Sequence, residues 1–159
     1  MSTFNGLPAH VLLVHFIVVL APLTAILAII CAFWPAARQR LVWLVLTLAV
    51  ITMLLTPLTT GAGEWLEKLK GQSPLLHAHT ELGDTMVYFA IGLTAAAALL
   101  AVVDLREARG RSVNPLARWL IAAVVVVASV ATTAQVYRIG DSGAKATWGE
   151  SAGASSSAP

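Results

Sequence analysis

The chain contains four histidines, His10, His15, His77 and His79, in two short apolar contexts. His10 and His15 lie inside "GLPAHVLLVHFIVVLAPL", Gly6 to Leu23, and His77 and His79 lie inside "SPLLHAHTELGD", Ser73 to Asp84. An imidazole among apolar side chains needs a partner, and an ionisable group at membrane depth is by default a candidate functional group. Residues five apart differ by about 140° around a helix and roughly 7.5 Å along it, so His10 and His15 cannot both face one point. Residues two apart differ by about 200°, so only one of His77 and His79 faces inward. His15 and His79 are therefore the pair expected to meet. Two facing imidazoles suit the axial ligation of b-type haem. Gly83, one turn from His79, would leave room for a flat ring. A single ion is the alternative. His10, His15 and His79 with Glu64 make an imidazole-plus-carboxylate set of the kind zinc, copper or iron takes, and Asp141 is expected at the same end. A third reading needs no cofactor: His10 and His77 sit at headgroup depth, Glu64 pairs with Lys68, and His15 and His79 only hydrogen-bond.

Composition says what must position these groups. The 159 residues are 58% hydrophobic and 11% charged, with a mean hydropathy of +0.80. A soluble domain carries roughly 25% charged residues, so the solvent here is lipid. Net charge of +2 is too small to argue for nucleic acid. Cys31 is the single cysteine, which forbids an intramolecular disulfide and reads as a small core hydrophobe.

Four segments meet the length of about 20 apolar residues that a span needs: Leu7–Trp34, Leu41–Thr60, Thr85–Val103 and Ala117–Tyr137. Pro35 closes the first, and Arg38 and Arg40 mark a short turn. Gly61 and Gly63 are expected to end the second, with "GEWLEKLKG" lying along the interface as an amphipathic segment. Ser73-Pro74 reads as an N-cap and first-turn proline, so the third helix starts early and carries His77 and His79 in its first turns. Gly110, Asn114 and Pro115 separate the third helix from the fourth. Pro22 and Pro57 are tolerable inside membrane helices.

One set of helix ends holds Arg38, Arg40, Arg106, Arg109, Arg111 and Arg118 against Asp104 and Glu107. The other holds Lys68, Lys70, Arg138 and Lys145 against six carboxylates. The arginine-rich side is expected to be cytoplasmic, which puts both termini outside. Trp34, Trp43 and Trp119 then fall at the inner interface, and Trp65 and Trp148 at the outer. The first residues, "MSTFNG", carry no Lys or Arg, so the first span reads as uncleaved. The domain is expected to occupy residues 1–149, with residues 150–159, small and polar, as a disordered tail.

Small residues recur at spacing four, as Ala21/Ala25, Ala28/Ala32 and Gly92/Ala96, which lets membrane helices approach closely. Ser129, Thr132, Thr133 and Gln135 form a polar stripe suited to interhelical hydrogen bonds.

Several stretches together, "LPAHVLLVHF", "TTGAGEW", "HTELGD" and "YRIGDSGAKATWG", resemble the bacterial membrane family catalogued as domain of unknown function 2231. The likeness covers roughly Gly6 to Gly149. Family members show "HPLLVHFP" in the first motif, matching His10 and His15, with Ile17 here in place of the proline. The histidine opening the third helix matches His79. Many members show "GHSG" after the fourth helix, where Asp141 stands here. The resemblance implies four spans and an important histidine motif. Relatives that carry an iron–sulfur Rieske domain imply a membrane redox setting, although this chain lacks that domain's cysteines.

The expectation is an all-α, four-helix transmembrane bundle of the bacterial cytoplasmic membrane. Its first functional reading is haem or metal binding through His15 and His79 in electron transfer, with the lipid bilayer, a quinone or respiratory redox partner and a homo-oligomer as implied partners. The second is a structural or accessory subunit without cofactor. Whether it is an enzyme stays open, and nucleophilic catalysis finds no support: Cys31 has no partner nearby in sequence, and no glycine-rich phosphate loop follows a strand.

Overall fold

Hydropathy of this kind dictates helices, because a backbone in lipid must satisfy its own N–H and C=O groups. A computed structural model of the chain describes the backbone of residues 3–4, 7–70 and 74–155 and the side chains of residues 12–65 and 74–146. Apart from a two-residue antiparallel pairing of β1 (Thr3–Phe4) with β2 (Leu7–Pro8), the ordered elements are helical. They are α1 (Ala9–Phe33), α2 (Pro35–Lys70), α3 (Pro74–Asp84), α4 (Met86–Ala108) and α5 (Pro115–Ser155). Four stretches are long and apolar enough to cross a membrane: Leu12–Phe33, Pro35–Trp65, Pro74–Ala108 and Pro115–Ala146. Helix α1 packs on α2 and α5, and α4 packs on the same two from the other side, with α1 and α4 touching across the diagonal. The short α3 caps one end, against α5 and α2.

The bundle interior mixes many small and hydroxylic side chains with a few larger ones, Leu93, Leu100, Val42, Val45 and Val125. Ala21, Ala25, Ala28, Ala49, Ala96 and Ala97 are buried, whereas Val19, Leu54, Leu58, Leu120 and Val127 are exposed. Lipid supplies no hydrophobic force between helices, so close approach through small residues drives association. Of the expected small pairs, Ala21/Ala25 is fully in the core and Ala28 and Ala96 are buried, while Gly92 faces open space. Buried threonines need no external partner. Thr24, Thr52, Thr56 and Thr59 each donate to the carbonyl four residues back, at 2.7–2.8 Å, the usual resort of a helical hydroxyl in an apolar setting.

The ends differ from the sequence expectation in two places. Arg38 and Arg40 do not mark a turn: Trp34 alone separates α1 from α2, and both arginines belong to α2. Pro35, which cannot donate a backbone N–H, sits in α2's first turn, where no donor is needed. Nor do Gly61 and Gly63 end the second helix, which runs on to Lys70. A glycine terminates a helix by adopting positive φ, and among the described residues only Gly110 does so, at φ 69°. There Gly110 N–H donates to Glu107 and Arg111 N–H to Arg106, both at 3.0 Å, a Schellman closure of α4. Asn114 then caps α5 by accepting from Leu116 N–H at 2.8 Å. Pro22 and Pro57 lie within their helices without ending them. Helix α5 continues to Ser155.

Candidate functional site at the histidine end

The start of α1, the end of α2, α3 and the end of α5 meet at one end of the bundle. Helix α3 begins at Pro74 and carries His77 and His79 on opposite sides, as the helical period requires. His77 is exposed and 3.6 Å from Glu81, one turn on. His79 turns inward. Its Nδ1 lies 2.8 Å from Ser142 Oγ on α5, and the Ser142 hydroxyl donates to Ile139 C=O at 2.8 Å. A hydroxyl has one proton to give. With that proton directed to Ile139, Ser142 Oγ is left to accept, the arrangement in which Nδ1 carries the imidazole proton and Nε2 the lone pair.

Gly143 makes room for the ring. A Cβ on residue 143 would stand 3.0 Å from His79 Cε1, 3.4 Å from Nδ1 and 3.5 Å from Nε2. The imidazole thus lies against the α5 backbone, seated by a serine and a glycine side by side in sequence. Neither residue was singled out by the histidine pattern. The available signal was the Ser-Gly pair of "GDSG", an i+7 step from Gln135. Gln135 is itself a second anchor, donating to Thr85 Oγ1 at 2.7 Å and to Leu82 C=O at 3.4 Å. Thr132 adds a contact to Phe89 C=O at 3.3 Å. One face of α5, stepping 132, 135, 139, 142, therefore fastens α3 and the start of α4. The polar stripe makes interhelical bonds at Thr132 and Gln135, whereas Thr133 bonds within its own helix and Ser129 Oγ is buried without a partner.

Beside His79 is a cavity of about 60 Å³. Val14, Ile17 and Val18 of α1, Thr56, Thr59, Thr60 and Gly63 of α2, and Thr80 and Gly83 of α3 share its wall with His79. The Thr60 and Thr80 hydroxyls also return to their own helices, so the lining is largely apolar and His79 is its ionisable member. Gly83 does border the space beside His79, as the spacing predicts. His15 is placed differently: its side chain is exposed, and it is not among the cavity residues, which α1 supplies from the face of Val14 and Val18. Glu64 is exposed on α2. Asp141 is exposed and pairs with Lys145 at 2.7 Å, one turn along α5. The side chain of His10 lies outside the described residues, as do those of Lys68 and Trp148. Among the described residues, no three of His, Cys, Asp and Glu come together as a metal-holding group.

The opposite end holds a charged group that the sequence reading left on the surface. Arg38 of α2 is 2% exposed and forms an ion pair with Glu107 of α4, while donating to Cys31 C=O of α1 at 3.4 Å. Arg118 of α5 reaches the second carboxylate oxygen of Glu107 at 3.9 Å.

Helices, lipid-facing exterior and end-capping polar groups define a polytopic, four-span membrane protein. The chain belongs to the family described as predicted membrane protein (DUF2231), which matches residues 6–156. No curated protein and no solved structure matches it.

Proposed function

We propose that this chain is a multi-pass protein of the bacterial cytoplasmic membrane, both termini outward, whose histidine end binds a transition-metal ion or haem in electron transfer. The orientation rests on charge: six arginines stand against two carboxylates at one end, the bias that marks the cytoplasmic side. The binding reading rests on one observation, the 2.8 Å contact of His79 Nδ1 with Ser142 Oγ beside the cavity. Ligating histidines donate their second ring nitrogen to a fixed acceptor, which orients the ring and raises its basicity, and Ser142 is such an acceptor.

The ion is the better fit of the two groups. A cavity of about 60 Å³ has room for one ion with a water or two. Sites for larger ligands run to roughly 300–1,000 Å³, so a porphyrin would require α3 to draw away from α1 and α2. In the ion form His79 is the ligand that the cavity wall itself offers, and His15 and Glu64, both exposed in this structure, would have to turn toward it to complete the set with His10. In the haem form His15 and His79 are the axial pair. A quinol or a respiratory partner would supply electrons.

The accessory-subunit reading has its own support. The seat of His79 on Ser142 and Gly143 satisfies the ring without any cofactor. An absorption spectrum before and after dithionite, with metal analysis of the same detergent-purified sample, separates the two. Stoichiometric zinc, copper or iron, or haem bands, lost in His79→Ala and kept in His77→Ala, is the expected result. A colourless, metal-free protein expressed with haem and metals available overturns the binding reading and leaves the accessory one.

A further inference from the structure

We infer that the arginine end binds the phosphate of an anionic glycerophospholipid, in a groove between the end of α1 and the start of α5. Two guanidiniums, Arg38 and Arg118, converge on one carboxylate, Glu107. Arg38 takes the close contact and is buried. Its Nε is buried without an acceptor. Arg118 has only the long contact at 3.9 Å, and its side chain is 45% exposed. Arg106, Arg109 and Arg111 follow in the same end and are exposed, adding positive potential.

The groove beside Arg118 has a volume of about 190 Å³ and is lined by Phe33, Pro115, Trp119 and Ala122 as well. Phe33 and Trp119 stand with ring centroids 6.3 Å apart, and both are exposed, as is Leu116. Charge thus lies beside an apolar wall at the depth where aromatic residues meet headgroups. That is the profile of a phospholipid: the planar fork of an arginine matches a phosphate with two parallel hydrogen bonds, while the acyl chain runs down the exposed aromatic face. Basic pockets between membrane helices take anionic headgroups in this way. The groove is too small for a helix of a second copy, and a free anion would leave the aromatic wall uncovered.

Native mass spectrometry of the intact protein in detergent tests this, with phosphatidylglycerol and phosphatidylcholine of the same acyl chains. The wild type should retain phosphatidylglycerol about fivefold or more tightly than phosphatidylcholine, the scale of one arginine–headgroup interaction. Arg118→Gln should remove most of that preference, and Arg138→Gln, at the histidine end, should leave it. Equal retention of the two lipids by the wild type overturns the inference without reference to any variant. So does a preference that survives Arg118→Gln. Displacement of phosphatidylglycerol by millimolar inorganic phosphate would assign the groove to a free anion and overturn the lipid.

Discussion

The imidazole of His79 lies so close to Gly143 that a methyl group there would come within 3.0 Å of Cε1. The neighbouring Ser142 holds the same ring through Nδ1 at 2.8 Å. Two adjacent residues of α5 therefore set the position of His79, which borders the cavity.

Gly143→Ala should displace the ring and cost about 1–3 kcal/mol, the range for overfilling a packed site. Gly140→Ala, three residues earlier with open space around it, should be neutral or stabilise by up to about 1 kcal/mol, because alanine favours helix over glycine. Thermal unfolding in detergent compares them. Equal effects would mean that residue 143 does not seat the histidine.

Ser142→Ala removes the hydroxyl that holds His79 Nδ1. The expected loss is about 1 kcal/mol, together with a mixture of imidazole tautomers in nitrogen NMR spectra. Ser129→Ala, which deletes a buried hydroxyl without a partner, should cost nothing or stabilise, because it removes an unsatisfied polar group.

Breaking the buried pair at the other end should be the most damaging single change. Arg38→Ala leaves Glu107 with only the long contact to Arg118, and removal of one member of a buried pair costs about 3–5 kcal/mol. The lower figure applies, since Glu107 is 24% exposed. Arg40→Gln, two residues on and exposed, should change stability by less than about 0.5 kcal/mol. Chemical unfolding of both variants measures the difference.

Ala97→Leu should cost about 1–3 kcal/mol by overpacking, as Ala97 is fully buried between helices. Val127→Leu, on the exposed face of α5, should be within about 0.5 kcal/mol of wild type.

The four spans were legible because hydropathy over about 20 residues is a strong signal and the helices obey it. The inward choice of His79 over His77 was legible for a similar reason: the 3.6-residue period admits only one of them. The break before α5 was also readable, since Gly110, Asn114 and Pro115 each act locally, as a left-handed cap, a side-chain cap and a first-turn residue. The end of α2 was not readable. Gly61 and Gly63 look like stop signals, but a glycine in a helix packed against neighbours keeps helical φ, and Gly63 is buried at the cavity. The partners of His79 and Arg38 were hidden for another reason. Ser142 is 63 residues from His79 and Glu107 is 69 from Arg38, separations that only the packing of α5 on α3 and of α2 on α4 closes. The exposed face of His15 was not legible in its depth in the apolar run, because depth along a helix says nothing of the face it occupies.

The most direct test of the His79 seat is long-range nitrogen–proton correlation NMR on the wild-type protein with labelled histidine, using His79→Ala to assign the resonances. A protonated Nδ1 and a lone-pair-bearing Nε2 are expected for His79 at a pH where the ring is neutral. A His79 ring protonated on Nε2 instead would make Ser142 the donor to Nδ1, contradict its role as acceptor and remove the support for ligation through Nε2.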